Sequence, residues 1–524
     1  MCLCALLALV PTVGICAAPP ADAKADAEQT FDIGEFRVLG NSVLPATKIE
    51  SAVYPFLGPK RTIHTVEQAR DALVAAYRDA GFGTVLVDIP EQSVDEGIVR
   101  LKVTEGRIEK VRVSGARYYS ERRILKELPS LKPGTVPQLP QIQAQLGQLA
   151  NEAHDRQVTP ILKPGSEPGT VVFDLKVKDD LPLHASLEAD NRYTADTAPN
   201  RVTANISYDN MFQRNESLAL QFQTAPTDTS QLKLWTLSYS GRTPNPDLTW
   251  SVYAVRSDST VPAIGTLAVI GNGDIFGGRL NRAFNVGGGT VSTLTFGVDY
   301  KDFGQTVQLP GDVNSASPIH YLIWSAQYAV NHAGERFQSN TSVSFNFAVN
   351  GVGGSEAEFE NKRYNATASF SYLRGSTNLT WKLWHGLAIS TKFEGQYSEQ
   401  PQVSNEQFTV GGEDTVRGYL EAEELVDAGL AGTIELRAPP LNFRLLQAGF
   451  YTFYDRGIGM LQQPLPSEIV GHTVRTDLSS FGAGLRFGGL HGFSGTVEWA
   501  DPLHDGSRTL RWHGRTLFSV MYGF

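Results

Sequence analysis

Two hydrophobic periods divide the chain. Between residues 31 and 179 apolar positions recur at helical spacing, as in the stripe Ala69, Leu73, Ala76, Tyr77 and Ala80. From about residue 183 the period drops to two. Leu294, Phe296, Val298 and Tyr300 alternate with Thr295, Gly297 and Asp299, and Val343, Phe345, Phe347 and Val349 with Ser344, Asn346 and Ala348. The same alternation marks Tyr364–Tyr372 and the terminal Phe518, Val520, Tyr522 and Phe524. A period of two gives a strand with one apolar and one polar face. Such segments predict sixteen strands, at about 183–191, 200–208, 217–224, 230–240, 248–256, 268–280, 289–301, 320–332, 337–348, 362–374, 386–398, 430–438, 445–456, 479–488, 492–500 and 514–524.

The helical third contains a repeat. Phe36-Arg37-Val38-Leu39-Gly40 matches Val111-Arg112-Val113-Ser114-Gly115, and Leu101-Lys102-Val103 matches Leu175-Lys176-Val177. Nearly equal offsets at both ends predict two tandem units, 31–105 and 106–179. Each reads as strand, helix, helix, strand, strand. In the first unit these are a strand ending at Gly40, helices at 46–56 and from a Thr65–Gln68 capping box to Gly81, and strands at 84–89 and 97–104. In the second they fall at 107–114, 120–128, 139–154, 157–163 and 170–178. Each unit is expected to be a three-stranded sheet with helices on one face, whose edges can accept a partner's strand.

The connections between the sixteen strands alternate in length. Even-to-odd ones are short, such as Ala333-Gly334-Glu335-Arg336, whereas 302–319, 399–429 and 457–478 are long odd-to-even ones. An outer-membrane barrel has short periplasmic turns, long external loops and an even strand number. Beyond the first residues no apolar run reaches 18, which excludes helical spans. The apolar strand faces therefore meet lipid and the polar faces line a lumen; a large soluble sandwich is the competing architecture. The expected fold is thus α+β repeats followed by an all-β, 16-stranded antiparallel transmembrane barrel over 180–524.

Composition fits this picture. Of 524 residues 50 are Gly and only 19% are charged, which suits many strands and turns. The net charge of −10 argues against a nucleic-acid partner. The three cysteines, Cys2, Cys4 and Cys16, lie in or beside the apolar run Leu3–Ala18. That run is too short for a span and precedes small residues, so 1–23 is expected to be a signal peptide and 24–30 a short linker. No G-x-S-x-G, H-E-x-x-H or P-loop occurs and the ten histidines are scattered, so no enzyme, cofactor or metal is expected.

Two motifs carry a resemblance. Val416-Arg417-Gly418-Tyr419, preceded by Gly411-Gly412, falls between the eleventh and twelfth strands. It resembles the VRGY motif in the sixth extracellular loop of the BamA/TpsB outer-membrane superfamily. Phe453-Tyr454-Asp455-Arg456-Gly457, in the thirteenth strand, resembles that superfamily's F-x-D-x-G motif. Two repeats resembling POTRA domains, a sixteen-strand barrel and a terminal aromatic, Phe524, extend the likeness over nearly the whole mature chain. The two-repeat count points to the TpsB branch, the two-partner secretion transporters similar to ShlB, FhaC and HecB.

The resemblance implies that loop six (399–429) folds into the lumen and that Arg417 meets Asp455 on the wall, so that losing either would have the same effect. Strand parity puts Gln447, Gly449, Tyr451, Phe453 and Asp455 towards the lumen, and Phe450 and Tyr454 towards lipid. Phe453, Asp455 and Gly457 would be the wall motif and Phe524 an assembly signal. Asp190-Asn191 and Asp209-Asn210 resemble the family's D-N positions. Relatives similar to FhaC carry an N-terminal plug helix, which the Ala- and Pro-rich 19–30 is not expected to form. The implied activity is transport of an unfolded exported partner, a TpsA-like haemolysin or adhesin that becomes a β-helix outside. Outer-membrane lipid and the barrel-assembly machinery are further implied partners of a monomer. An insertase for membrane barrels and a diffusion porin are the alternatives.

Overall fold

The computed structural model describes residues 29–94, 96–195, 197–259, 272–304, 306–309, 313–316, 318–464, 474–490 and 492–524. The expected signal peptide, most of the linker and the question of a plug helix lie outside the described residues, as do positions 268–271 of the sixth expected strand. Internal contacts divide the chain into two bodies. One comprises residues up to Ala116, Ile124–Asn151 and Gln157–Lys178; the other comprises Arg117–Arg123, Glu152–Arg156 and Asp179–Phe524.

The repeats form as the tandem pattern predicts. In the first, Ile98–Glu105 is the central strand, parallel to Glu35–Leu39 and antiparallel to Val85–Asp88. In the second, Thr170–Asp179 takes that place between Arg107–Ser114 and Arg156–Pro164. Leu73, Tyr77, Leu101 and Val103 are buried in the first core. The likeness reaches single atoms. Gly40 and Gly115 have φ of +89° and +86°, and a Cβ on either would lie 2.3 and 2.4 Å from the carbonyls of Val103 and Val177. Only glycine tolerates both the turn and the approach. Glu105 then accepts the N–H groups of Ser42 (2.5 Å) and Val43 (3.0 Å), as Asp179 accepts those of Tyr118 (2.7 Å) and Tyr119 (2.9 Å).

Two local expectations fail in the first repeat. The long helix starts at Ile63, behind Thr62 with no side-chain cap, so Thr65 and Gln68 lie inside it and form no capping box. A short strand pair, Phe31–Ile33 with Gly58–Arg61, precedes the helix and ends just before it. This pairing and the burial of Val66 and Ala69 set the start, and neither shows in a four-residue cap pattern.

The second body is a closed antiparallel barrel of sixteen strands. They run Leu183–Asp190, Arg201–Met211, Glu216–Thr224, Leu232–Arg242, Leu248–Ser259, Gly273–Gly287, Thr290–Phe303, Ile319–Ala333, Phe337–Ala348, Ser371–Lys382, Ala388–Tyr397, Ala428–Arg437, Gln447–Met460, Arg475–Leu490, Phe493–Pro502 and Arg515–Gly523. Ser519–Gly523 pairs with Ser186–Asp190 to close the ring. Beyond that ladder, the Asn191 side chain accepts the Phe518 N–H and donates to the Thr516 carbonyl, both at 2.8 Å. Apolar side chains such as Trp235, Phe276, Phe296 and Phe450 stay exposed on the outer face. A soluble domain would not leave such a band open to water, whereas a bilayer covers it.

The sixth strand lies about six residues later than expected, and the tenth about nine. Only Ser371 and Tyr372 of the alternating Tyr364–Tyr372 stretch are in a strand. Ala366, Ala368 and Phe370 instead pack into a buried cluster with Phe303, Tyr321 and Phe359. Phe359 belongs to a helix, Glu356–Lys362, that begins with a Ser355–Glu358 capping box. Alternation thus fitted an irregular segment whose apolar side chains face other protein rather than lipid.

Candidate functional site: loop six and the barrel wall

Residues 398–427 connect the eleventh and twelfth strands and carry a small hairpin, Phe408–Val410 with Glu424–Val426. Val410, Val416, Tyr419 and Val426 are fully buried, packed with Ala431 and Leu478 of the wall. This apolar seat holds the following turn, where Gly418 has φ +91° and a Cβ would lie 3.2 Å from the Ala500 carbonyl. Tyr419 buries its ring and places its hydroxyl 2.8 Å from the His504 carbonyl, accepting the His504 N–H at 3.2 Å.

Arg417 is 4% exposed and Asp455 is 0% exposed. The guanidinium binds the carboxylate through two parallel bonds, Nε to Oδ2 and Nη2 to Oδ1, each 2.8 Å. The Arg417 N–H adds a third bond to Oδ2 at 3.1 Å. A bidentate, charge-assisted pair of this kind fixes orientation as well as position. The remaining arm, Nη1, reaches Glu435 at 3.0 Å and Glu498 at 3.4 Å. Arg486 binds Glu435 from the other side at 3.0 Å, Arg437 binds it at 2.9 Å, and the Tyr451 hydroxyl donates to Glu498. Glu435, Asp455, Arg486 and Glu498 come from four successive strands, twelve to fifteen. The site is therefore a latch of three arginines and three carboxylates, with Arg417 the member that loop six supplies.

The wall motif explains itself around the latch. Phe453 lies beneath the guanidinium, its ring centroid 3.4 Å from Cζ, a cation–π contact. Its ring occupies space left by Gly482, where a Cβ would lie 2.4 Å from Phe453 Cζ. At Gly457 a Cβ would lie 2.5 Å from Val410 and 2.8 Å from Val416, so this glycine makes room for the loop itself. Phe450 and Tyr454 are 52% and 43% exposed, facing away from the lumen as parity requires. Phe524 lies away from the latch. Its backbone exchanges two 3.0 Å hydrogen bonds with Ala185, and its side chain is 74% exposed.

Two further anchors hold the loop. Glu406 accepts bonds from Lys301 (2.5 Å), Tyr321 (2.5 Å) and Tyr372 (2.8 Å). Asp427 is bound by both arms of Arg363, at 2.5 and 2.6 Å. None of these anchors stands out as a motif in the sequence, and neither do Glu435 and Glu498. For the two wall carboxylates a signal exists. Glu435 sits between Ile434 and Leu436, and Glu498 between Val497 and Trp499, all four exposed on the outer face. A carboxylate between two lipid-facing residues must point into the lumen. Glu406 and Asp427 lie in irregular segments, where no period indicates direction.

Replacing Gly457 with valine is expected to unseat the loop while the barrel closes normally. Overpacking of this sort costs about 1–3 kcal/mol. Loop six should then be cut by protease added outside intact cells roughly tenfold faster or more; an unchanged cleavage rate would show that the glycine is not what seats it.

A closed barrel with paired periplasmic repeats and an inward loop latched to its wall defines the outer-membrane β-barrels that handle polypeptides. Residues 169–487 match the haemolysin secretion/activation protein family ShlB/FhaC/HecB, and residues 31–106 match the ShlB-type POTRA domain. The chain belongs to this family; it is an outer-membrane transporter of the two-partner secretion class, its POTRA domains on the periplasmic side. The outer membrane transporter CdiB of Dickeya dadantii (strain 3937) is 23% identical over 407 residues, 75% of this chain and 69% of that one. In fold, CdiB from Escherichia coli matches with a TM-score of 0.61 at 18% identity, covering 97% of this chain and 93% of that one. BamA from Haemophilus ducreyi lacking POTRA domains 1-3 matches with 0.57 at 13% identity, over 94% and 100%.

Proposed function

We propose that the POTRA repeats capture an unfolded, TpsA-like haemolysin or adhesin by adding its strand to a sheet edge, and that the partner crosses the lumen extended. Loop six must yield as it passes. The observation that carries this reading is the latch: a buried ionic seat holds a loop across the route a chain would take. Glu35–Leu39, Val85–Asp88 and Arg107–Ser114 are edge strands without proline, whereas Arg156–Pro164 contains Pro160 and Pro164, which cannot donate to a ladder. The first three edges are therefore better suited to an added strand. In this reading the protein works as a monomer embedded in lipid, folding of the partner outside drives transport, and Phe524 is the signal recognised by the barrel-assembly machinery.

The route can be tested by arresting a partner in transit with a folded C-terminal fusion. A photo-reactive residue at Tyr451, on the lumen face, should cross-link to it strongly. The same group at Phe450, one position away and facing lipid, should give at least about tenfold less, because adjacent strand positions face opposite ways. Equal labelling at both positions would exclude passage through the lumen.

A further inference from the structure

Far from the latch, the barrel body holds a cluster that the transport reading leaves without a role. His184 is the second residue of the first strand and Asp209 lies in the second, with Ser207 directly opposite His184. Asp155 is held beside them by its carbonyl, which accepts the Asp180 N–H at 2.8 Å. One imidazole nitrogen, Nε2 of His184, faces an Oδ2 of each aspartate, at 3.0 Å from Asp155 and 3.4 Å from Asp209. All three candidate ligand atoms lie within 4.8 Å of one another.

We propose that Asp155, His184 and Asp209 form a binding site for a divalent transition cation of the zinc type. The spacing fits. Zinc bonds to nitrogen and carboxylate oxygen are about 2.0–2.2 Å, so tetrahedral ligand atoms stand roughly 3.3–3.6 Å apart. The chemistry fits as well: one imidazole and two carboxylates are ordinary zinc ligands, and three protein ligands leave a fourth position for water. Ser217 donates to the other oxygen of Asp209 at 2.5 Å, the kind of outer hydrogen bond that orients a ligating carboxylate.

Two independent observations point to a ligand. The Tyr119 hydroxyl is buried, only 4% of the residue being exposed, and has no hydrogen-bond partner. Burial above all pushes its ionisation up to about 12; the charge of Asp155 adds to this, that of Arg156 opposes it, and Asp209 and Asp179 contribute less. An unpartnered polar group thus lies within the field of Arg156 and of both carboxylates. A cavity of ≈ 750 Å³ also opens beside the cluster, lined by His154, Asp155, His184 and Asp209, and leaves room for the cation's water. Arg156 lies over the Tyr119 ring, its Cζ 4.8 Å from the centroid, and 3.9 Å from Glu152, while Arg242 lies 3.5 Å from Glu152. A bound cation would tie residues 152–156 to the first two barrel strands.

The test is a calorimetric titration of the full-length protein in detergent with zinc chloride alone. One saturable site of micromolar or tighter affinity is expected. His184→Ala and Asp209→Asn should each weaken it at least tenfold, while His513→Ala, outside the cluster, leaves it unchanged. Heat-modifiable migration on gels checks that each variant has a closed barrel. Cobalt(II) added to the unmodified chain should give the visible absorption of a low-coordinate site with a nitrogen ligand, which requires no variant to fold. The proposal is overturned if the unmodified chain shows no saturable site, if His184→Ala binds zinc as tightly, or if the cobalt spectrum is that of the hexaaqua ion. In any of these cases His184 is simply a hydrogen-bonding bridge between two aspartates.

Discussion

Arg417→Ala is expected to abolish surface delivery of the partner while the barrel still assembles. Removing one member of a buried ion pair costs about 3–5 kcal/mol, because the charges left behind remain out of water. Here the carboxylates left behind are Asp455, Glu435 and Glu498, each 6% exposed or less. A shift of that size moves the balance between seated and unseated loop by more than about a hundredfold. Arg417→Lys should recover little, since an ammonium cannot hold Asp455 with two parallel bonds and reach Glu435 as well. The measurements are secreted partner per assembled barrel and heat-modifiable migration. Normal secretion by Arg417→Ala would deny the latch any part in transport.

The structure changes what Asp455 should do. A simple Arg417–Asp455 pair makes the two losses equivalent. With Asp455 gone, however, Arg417 still meets Glu435 and Glu498, and the apolar side chains of loop six still pack on the wall. Asp455→Ala should therefore be the milder variant, and the double variant should be no worse than Arg417→Ala. Strictly additive defects would show that the residues act separately. If the latch is a static brace, Arg417→Ala should also lower the temperature at which the barrel unfolds. If it opens during transport, secretion should fall with heat resistance intact.

Deleting residues 31–105 is expected to eliminate secretion and leave the barrel resistant to heat in detergent. The boundary suits a clean removal: the first repeat has its own buried core, and the ring is closed entirely by strands from Leu183 onwards. No barrel strand loses a neighbour. The capture surface loses two of its three proline-free edges, Glu35–Leu39 and Val85–Asp88, and the three-stranded sheet they flank. Secretion of the partner above about a tenth of the wild-type level would place capture elsewhere in the chain. A barrel that no longer shifts on heating would instead make the repeat an assembly element.

The sequence alone determined the two-part architecture. Period-two alternation persists wherever a strand separates lipid from lumen, because both environments select side chains at every step. The repeat was legible because Gly40 and Gly115 meet the same backbone constraint, which no other residue satisfies. Arg417, Asp455 and Gly457 were legible because they sit in short motifs within one loop and one strand. Only the tertiary structure decided who shares Arg417. Glu435, Arg486 and Glu498 come from separate strands, and their meeting depends on register between strands rather than on spacing along one. It also decided that 349–370 leaves the wall, since alternation is blind to whether an apolar face meets lipid or protein. Asp155, His184 and Asp209 show the limit most plainly. Their convergence depends on the register between the first two strands and on the Asp155–Asp180 backbone bond, and neither leaves any local mark in the sequence.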